Sequence, residues 1–233
     1  MRCPPTPPPN AAPEAAAGSD ARAAAGSNPE AQARARVHDR PEAQGEPDAQ
    51  AVIRHTRAWV RRVVVGLNLC PFAKAPLVKG QIGYVVTPAR DRRSLRAALC
   101  AQLDALARAD PSVLDTVLLI HPWVLRDFDA YNDFLDVADA TLGALGYEGV
   151  LQIASFHPQY RFAGSPARAL SNATNRSPYP LLHLLREASV DRAVAACPDP
   201  QDIVAANQAT LQRLGPAGWE RLQRQCRHDA AAD

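Results

Sequence analysis

The chain has 233 residues, of which 21 are prolines and 21% are charged, and its net charge is +2 at neutral pH. This length is enough for one well-packed core and short for two. The small charge excess argues against strong nucleic-acid binding, and the sequence lacks the run of ~18 apolar residues that a membrane-spanning helix needs. We therefore expect neither a nucleic-acid nor a membrane partner.

The first 47 residues differ in composition from the rest. They hold nine prolines and thirteen alanines but no Phe, Trp or Tyr, so they cannot bury enough apolar surface to offset the entropy of ordering. They also lack the apolar run of a secretory signal and the scarcity of acidic residues typical of a transit peptide. We expect residues 1–47 to be a disordered Pro/Ala-rich tail, 48–222 a single α/β domain and 223–233 a disordered C-terminal tail.

The cysteines indicate the redox environment. They are odd in number and widely spaced, with no CxxC pair: Cys3, Cys70, Cys100, Cys197 and Cys226. With no secretory signal, this pattern favours a reducing cytoplasm over a disulfide framework.

Helical and strand-like patterns alternate along the domain. Helices are predicted at about 48–67, 91–109, 127–146, 178–187 and 200–215. Short runs that are apolar on both faces predict strands at 82–87, 115–121, 150–156 and 193–197. This order favours a layered α/β fold with a largely parallel or mixed sheet of about four strands flanked by helices, and an α+β sandwich is the alternative.

A polar loop at residues 158–177 follows the third predicted strand. Loops this long usually bind something or form a lid unless they are disordered. Ser177 before Pro178 is typical of an N-cap and first helical position, so unpaired N–H groups are expected there. Together with the guanidinium of Arg176, they predict a site for a small anion. Further candidate ligand-binding residues are Asn175, Tyr160 and Gln152. The alternative is that all of these side chains hold the loop in shape.

Three residues are candidates for chemistry. Cys70 with His157 or His183 would suit nucleophilic catalysis, because imidazole can remove the thiol proton. The same three residues could instead ligate a divalent metal with one open position. In the third alternative they are structural, with each histidine bonded to backbone. If the second and third strands run in the same direction, His121 and His157 emerge at the same edge of the sheet.

Three sequence strings carry a family resemblance. They are CPFA at 70–73, LQIASFHPQYRFAG at 151–164 and TNRSPYPLLHLLRE at 174–187. With them the chain resembles, over roughly residues 51–219, the bacterial family catalogued as domain of unknown function 1415. The resemblance implies a family without an established activity. The family pattern has acidic residues and an aromatic before the third string, where this chain has Ala-Arg-Ala at 167–169, so we assign no role to the centre of the loop.

These observations lead to two functional hypotheses. The first is an enzyme that acts on a small anionic metabolite through a Cys/His/Arg site, with a divalent metal as an open alternative. The second is a non-catalytic ligand- or protein-binding module whose 158–177 loop is the recognition surface. A loop closed on its own carbonyls, with Arg176 fully used internally, would favour the second.

Overall fold

The computed structural model describes residues 48–70, 72–195 and 202–232, so the tail expected at 1–47 lies outside the described part. The helices are α1 (Ala49–Trp59), α2 (Lys74–Lys79), α3 (Arg92–Arg108), α4 (Phe128–Ala144), α5 (Glu187–Ala195) and α6 (Asp202–Ala232). A π-helical turn (Val60–Val65) continues α1, and a 3₁₀ helix spans Leu170–Asn175. The strands are β1 (Ile82–Val86), β2 (Thr116–Ile120), β3 (Leu151–Phe156) and β4 (Leu181–Arg186).

Aspartates begin three of these helices. The carboxylate of Asp48 accepts from Ala51 N at the start of α1, Asp91 forms a capping box with Ser94 at the start of α3, and Asp127 accepts from Ala130 N at the start of α4. Each carboxylate satisfies an N–H that has no partner within its own helix. The predicted starts of these helices are therefore confirmed.

The four strands form one mixed sheet in the order β1-β2-β4-β3. β1 and β2 are parallel, whereas β4 is antiparallel to β2 on one side and to β3 on the other. The α/β expectation with a mixed sheet is confirmed. Because β2 and β3 both oppose β4, they run in the same direction, and the residues that follow them emerge at the same edge.

The helix predicted at 178–187 is wrong, since β4 occupies most of that segment. Four leucines around His183 suit a helix face or a strand buried on both sides equally well, and periodicity alone cannot separate the two in so short a run. The segment forms a strand because its backbone pairs with β2 on one side and with β3 on the other. As a consequence no helix begins at Ser177, and its hydroxyl donates to Tyr179 O at 2.6 Å. The helix N-terminus that was expected to supply N–H groups to an anion is therefore absent at this position.

Two expectations near the C-terminus also differ from the structure. Residues 193–195 end α5 instead of forming a strand, and Cys197 lies outside the described residues. α6 continues through Ala232 with Cys226 only 2% exposed, so residues 223–232 are helical where a disordered tail was expected. The sequence pattern failed there because Gly215 and Pro216 are typical of a helix end.

An apolar core lies on each face of the sheet. α3 and α4 cover one face with buried residues such as Leu99, Leu103 and Phe134. α1 and α6 cover the other face with Trp59, Leu211 and others. The described part of the chain contains no helix that is both long and apolar enough to cross a membrane.

A buried arginine joins the end of β4 to the end of α3. Arg186 is 9% exposed, and its Nη2 donates to the carbonyls of Leu106 at 2.5 Å, Ala109 at 2.6 Å and Leu114 at 3.3 Å. These carbonyls belong to the last turn of α3 and the loop after it, where the helix offers them no N–H. The guanidinium therefore caps α3 from the neighbouring layer.

Replacing Arg186 with Met should lower the free energy of unfolding by roughly 2–4 kcal/mol, because buried carbonyls lose their donor. Urea denaturation measures this. The matched control is Arg108→Met, since Arg108 forms only a surface pair with Asp104 at 3.5 Å and is 72% exposed, and it should cost less than about 1 kcal/mol. Equal losses in the two variants would contradict the capping role of Arg186.

Candidate functional site

The polar loop is folded on itself by its own side chains. Asn172 accepts from Phe162 N at 3.1 Å and donates to Pro166 O at 2.9 Å. Arg176 donates from Nε to Tyr160 O at 3.2 Å and from Nη2 to Ala167 O at 2.5 Å. The side chains of Asn172 and Arg176 thus hold the loop closed on its own carbonyls.

The remaining predicted ligand-binding residues lie in or beside this loop. Asn175 donates to Ser155 O at 3.1 Å and ties the loop to β3. Tyr160 is 8% exposed, and its ring packs edge-on against Phe128 at 5.3 Å. Gln152 is half-buried on β3, opposite Leu185. The structure brings Arg176 and Ser177 together at one cleft, but not Gln152 or Tyr160.

His157 is buried at the end of β3, and both of its ring nitrogens are used. Nδ1 accepts from Gln159 N at 3.0 Å, and Nε2 lies 3.2 Å from Leu125 O, to which it donates. Burial lowers the pKa of His157. The imidazole is therefore held neutral, and its nitrogens bond to backbone.

A tyrosine that sequence analysis did not single out as functional joins the two histidine corners. The ring of Tyr131 lies 5.0 Å from that of His157 and 5.8 Å from that of His121, so the two histidines do meet at one edge of the sheet. The Tyr131 hydroxyl donates to Leu181 O and accepts from Phe156 N, both at 2.9 Å. The hydroxyl therefore links the backbones of β3 and β4 where the two strands meet at this edge.

His183 lies on the opposite face of the sheet from His157. His183 on β4 is the cross-strand partner of Ala154 on β3, so the two side chains lie on the same face. Successive residues of a strand point to opposite faces. His183 therefore shares its face with Phe156, which it contacts, and not with residue 157. Its Nε2 is 2.7 Å from Thr116 Oγ1, and burial lowers its pKa to about 4. The register of β4 therefore separates the two histidines.

Cys70 follows the end of the first helical segment and is half-buried. Burial raises the pKa of the Cys70 thiol, so the thiol keeps its proton near neutral pH. In the described part of the chain no three His, Cys, Asp or Glu side chains are grouped so that they could hold a metal ion. The structure does not gather Cys70, His157 and His183 into the predicted site.

Two clefts flank Arg176. The larger, about 410 Å³, has walls of mixed charge that include Asp127, Asp129 and Arg161. Asp129 and Arg161 pair with each other at 3.0 Å, which leaves little net charge for a ligand. The smaller is about 150 Å³ and lies between α1, the distal part of α6 and the loop, and we call it the α1–α6 cleft.

The α1–α6 cleft has a cationic and an aromatic side. His55, Arg176, Gln223 and Arg227 contribute polar groups, while Trp59, Val63 and Trp219 are among its apolar walls, and none of the described residues lining it is Asp or Glu. Burial and the charge of Arg227 lower the pKa of His55. The positive charge of Arg227, which is the smaller of these two causes, would also attract an anion.

One residue that lines this cleft carries a buried donor that is unused. Trp59 is 5% exposed, and its Nε1–H has no hydrogen-bond partner among the described residues. Buried polar groups nearly always have a partner, so an orphan N–H at a cleft indicates a place for an acceptor. Sequence reasoning missed this cleft, because Trp59 and Val63 have the spacing of ordinary core residues and Arg227 lies in the expected tail.

The comparison with known families agrees with the resemblance. Residues 51–221, well over half of the chain, match the family model described as "Protein of unknown function (DUF1415)". The chain belongs to this family. No curated protein and no solved structure matches it significantly. The DUF1415 match ends at residue 221, so Gln223 and Arg227 of the cleft lie beyond it.

Replacing Tyr131 with Phe should lower the free energy of unfolding by about 2–4 kcal/mol, because two buried backbone groups lose their partner. Tyr147→Phe is the matched control, since the Tyr147 hydroxyl donates only to the Asp104 carboxylate at 2.8 Å on the surface, and it should cost about 1 kcal/mol or less. Urea unfolding of both variants decides. A Tyr131→Phe loss no greater than that of the control would contradict the bridging role.

Folding stability should decrease as the pH falls from 6.5 to 4. His121 is fully buried, and burial lowers its pKa from 6.5 to about 4. In that window the unfolded chain binds a proton that the folded chain does not, which destabilises the fold by about 1.4 kcal/mol per pH unit. Urea unfolding at pH 7, 6 and 5 should show a smaller slope for His121→Asn than for the wild type. His183, whose pKa is also about 4, keeps its own contribution to the slope in this variant, and an unchanged slope would show that His121 contributes nothing.

Proposed function

We propose that this protein is a binding module for a small anionic molecule, which it holds in the α1–α6 cleft beside the closed loop. The observation that carries the proposal is a cleft with two guanidinium groups and no carboxylate among its described lining residues, lined in part by Trp59, whose buried N–H has no described partner. A ligand oxygen there would satisfy the indole and be attracted by both arginines.

The donors divide between fixed and mobile parts of the cleft. Trp59 is packed in the core, with its ring edge-on to Phe156 at 5.6 Å, so its N–H is positioned before a ligand arrives. Arg176 is held by Tyr160 O and Ala167 O through Nε and Nη2, and its remaining nitrogen is available to a ligand. Arg227 is exposed, so its side chain can change conformation to contact a ligand. Two pre-positioned donors reduce the ordering cost of binding.

The walls favour a carboxylate with a short apolar body. The volume of about 150 Å³ corresponds to about five water molecules, which suits a ligand of monocarboxylate size. A planar carboxylate matches the two-donor edge of a guanidinium. Trp219 and Val63 offer an apolar surface to the remainder of the ligand.

Binding is favoured over catalysis by the state of the candidate reactive groups. The enzyme hypothesis needs Cys70 near an imidazole that can accept its proton, whereas His157 bonds to backbone and the Cys70 pKa is raised by burial. A cytoplasmic location remains part of the proposal, and the free thiols of Cys70, Cys100 and Cys226 are compatible with it.

Calorimetric titration with benzoate and with inorganic phosphate tests the proposal. Wild-type protein should bind benzoate more tightly than phosphate. Trp59→Phe, which removes the N–H and keeps an aromatic ring, should weaken binding about tenfold or more, because a hydrogen bond to a charged group is lost. Arg227→Gln should weaken it by a similar factor.

Arg224→Gln is the matched control, because Arg224 is exposed one turn before Arg227 and does not line the cleft. It removes the same charge from the same helix and should leave the affinity within about twofold. Absence of binding to both probes, or equal losses in Arg224→Gln and Arg227→Gln, would overturn the assignment of the anion to this cleft.

A further inference from the structure

α6 consists of two helical rods joined at one glycine. Gly215 has φ 66° and ψ 171°, which is not helical, and Pro216 follows it. Such a φ is strained for residues with a side chain, and proline suits the first position of a new helix. Residues 216–232, which we call the distal segment, can therefore change direction by rotation at a single residue.

The distal segment forms one wall of the α1–α6 cleft. It contributes Trp219, Gln223, Cys226 and Arg227, while α1 and the loop supply the opposite walls. Trp219 is 7% exposed and Cys226 is 2% exposed, so the segment lies closely against its neighbours. Movement of this wall would widen the cleft for a molecule that enters or leaves it.

Two polar contacts hold the end of the distal segment on the first helical segment. The Arg62 guanidinium donates to both carboxylate oxygens of Asp229, and this bond lowers the pKa of Asp229. Arg54 Nε donates to Ala230 O at 3.0 Å. The Arg62 and Asp229 side chains are 39% and 23% exposed, and ion pairs that water reaches are weak. The contact is thus strong enough to favour closure and weak enough to open.

We infer that the distal segment is a hinged lid over the α1–α6 cleft, with its hinge at Gly215 and its latch at the Arg62–Asp229 pair. The inference deepens the proposed function, because it describes how that cleft is opened and closed. The lid itself is defined by the helix break and the latch, and its motion can be measured without any ligand.

Cys226 reports the opening. Cys226 belongs to the distal segment, and its side chain is buried while the segment lies against its neighbours. Cys70 and Cys100 are half-buried in other parts of the structure and serve as internal references. In full-length protein, the rate of alkylation by iodoacetamide at each cysteine is followed by peptide mass spectrometry. Asp229→Asn should raise the rate at Cys226 about two- to fivefold, as expected for loss of a partly exposed ion pair, with little change at Cys70 and Cys100.

The matched control is Asp129→Asn, which breaks the exposed pair with Arg161 far along the chain from the lid. It should leave the Cys226 rate unchanged. Low urea, below the unfolding transition, separates local from global opening, because lid motion exposes little surface and global unfolding exposes much. An unchanged Cys226 rate in Asp229→Asn, or a rate with the full urea dependence of global unfolding, would overturn the lid.

Benzoate then separates the lid from the proposed function. If the cleft binds benzoate under the lid, saturating benzoate should slow Cys226 labelling in the wild type. Faster labelling in Asp229→Asn with no effect of benzoate supports the lid and contradicts the proposed ligand. Labelling that Asp229→Asn does not change contradicts the lid, whatever calorimetry shows for benzoate.

Discussion

The antiparallel insertion of β4 between β2 and β3 is the constraint on which the rest of this structure depends. Without β4 the second and third strands would have no common partner, and the two helical layers would have no continuous sheet to cover. β4 enters the sheet directly from the 158–180 segment, so the loop must end between the two histidine corners. The position of the loop, and of the clefts beside it, follows from the sheet order.

The same strand explains why chemically suggestive residues are kept apart. Alternation along β3 and β4 sends His157 toward α4 and His183 toward the α1 side. Each imidazole then bonds within its own layer, to backbone in one case and to the Thr116 hydroxyl in the other. A string such as HPQYR followed by LLHLL looks like one reactive cluster in sequence, yet a two-residue period distributes it over both faces of a sheet.

Much of the fold could be predicted from local patterns. The caps at Asp48, Asp91 and Asp127, the buried run of β2 and the common edge of His121 and His157 depend on near neighbours and on strand direction, and the structure confirms them. β4 could not be predicted with the same means, because its strand character depends on ladders with residues more than 20 positions away. The cleft could not be predicted for a related reason, since Trp59 and Arg227 line the same cleft only when α6 packs along α1.

The break at Gly215 and Pro216 gives the molecule two parts with different tasks. The sheet, the loop and all but the first two residues of α1 lie within the residues that match the family, whereas residues 223–227 of the wall lie past the end of the match. The central strands make no use of that wall for their ladders. Trp219 and Cys226 of the same segment are buried in the core, so changes confined to positions 223 and 227 would alter what the cleft accepts and leave the packing that covers the sheet in place.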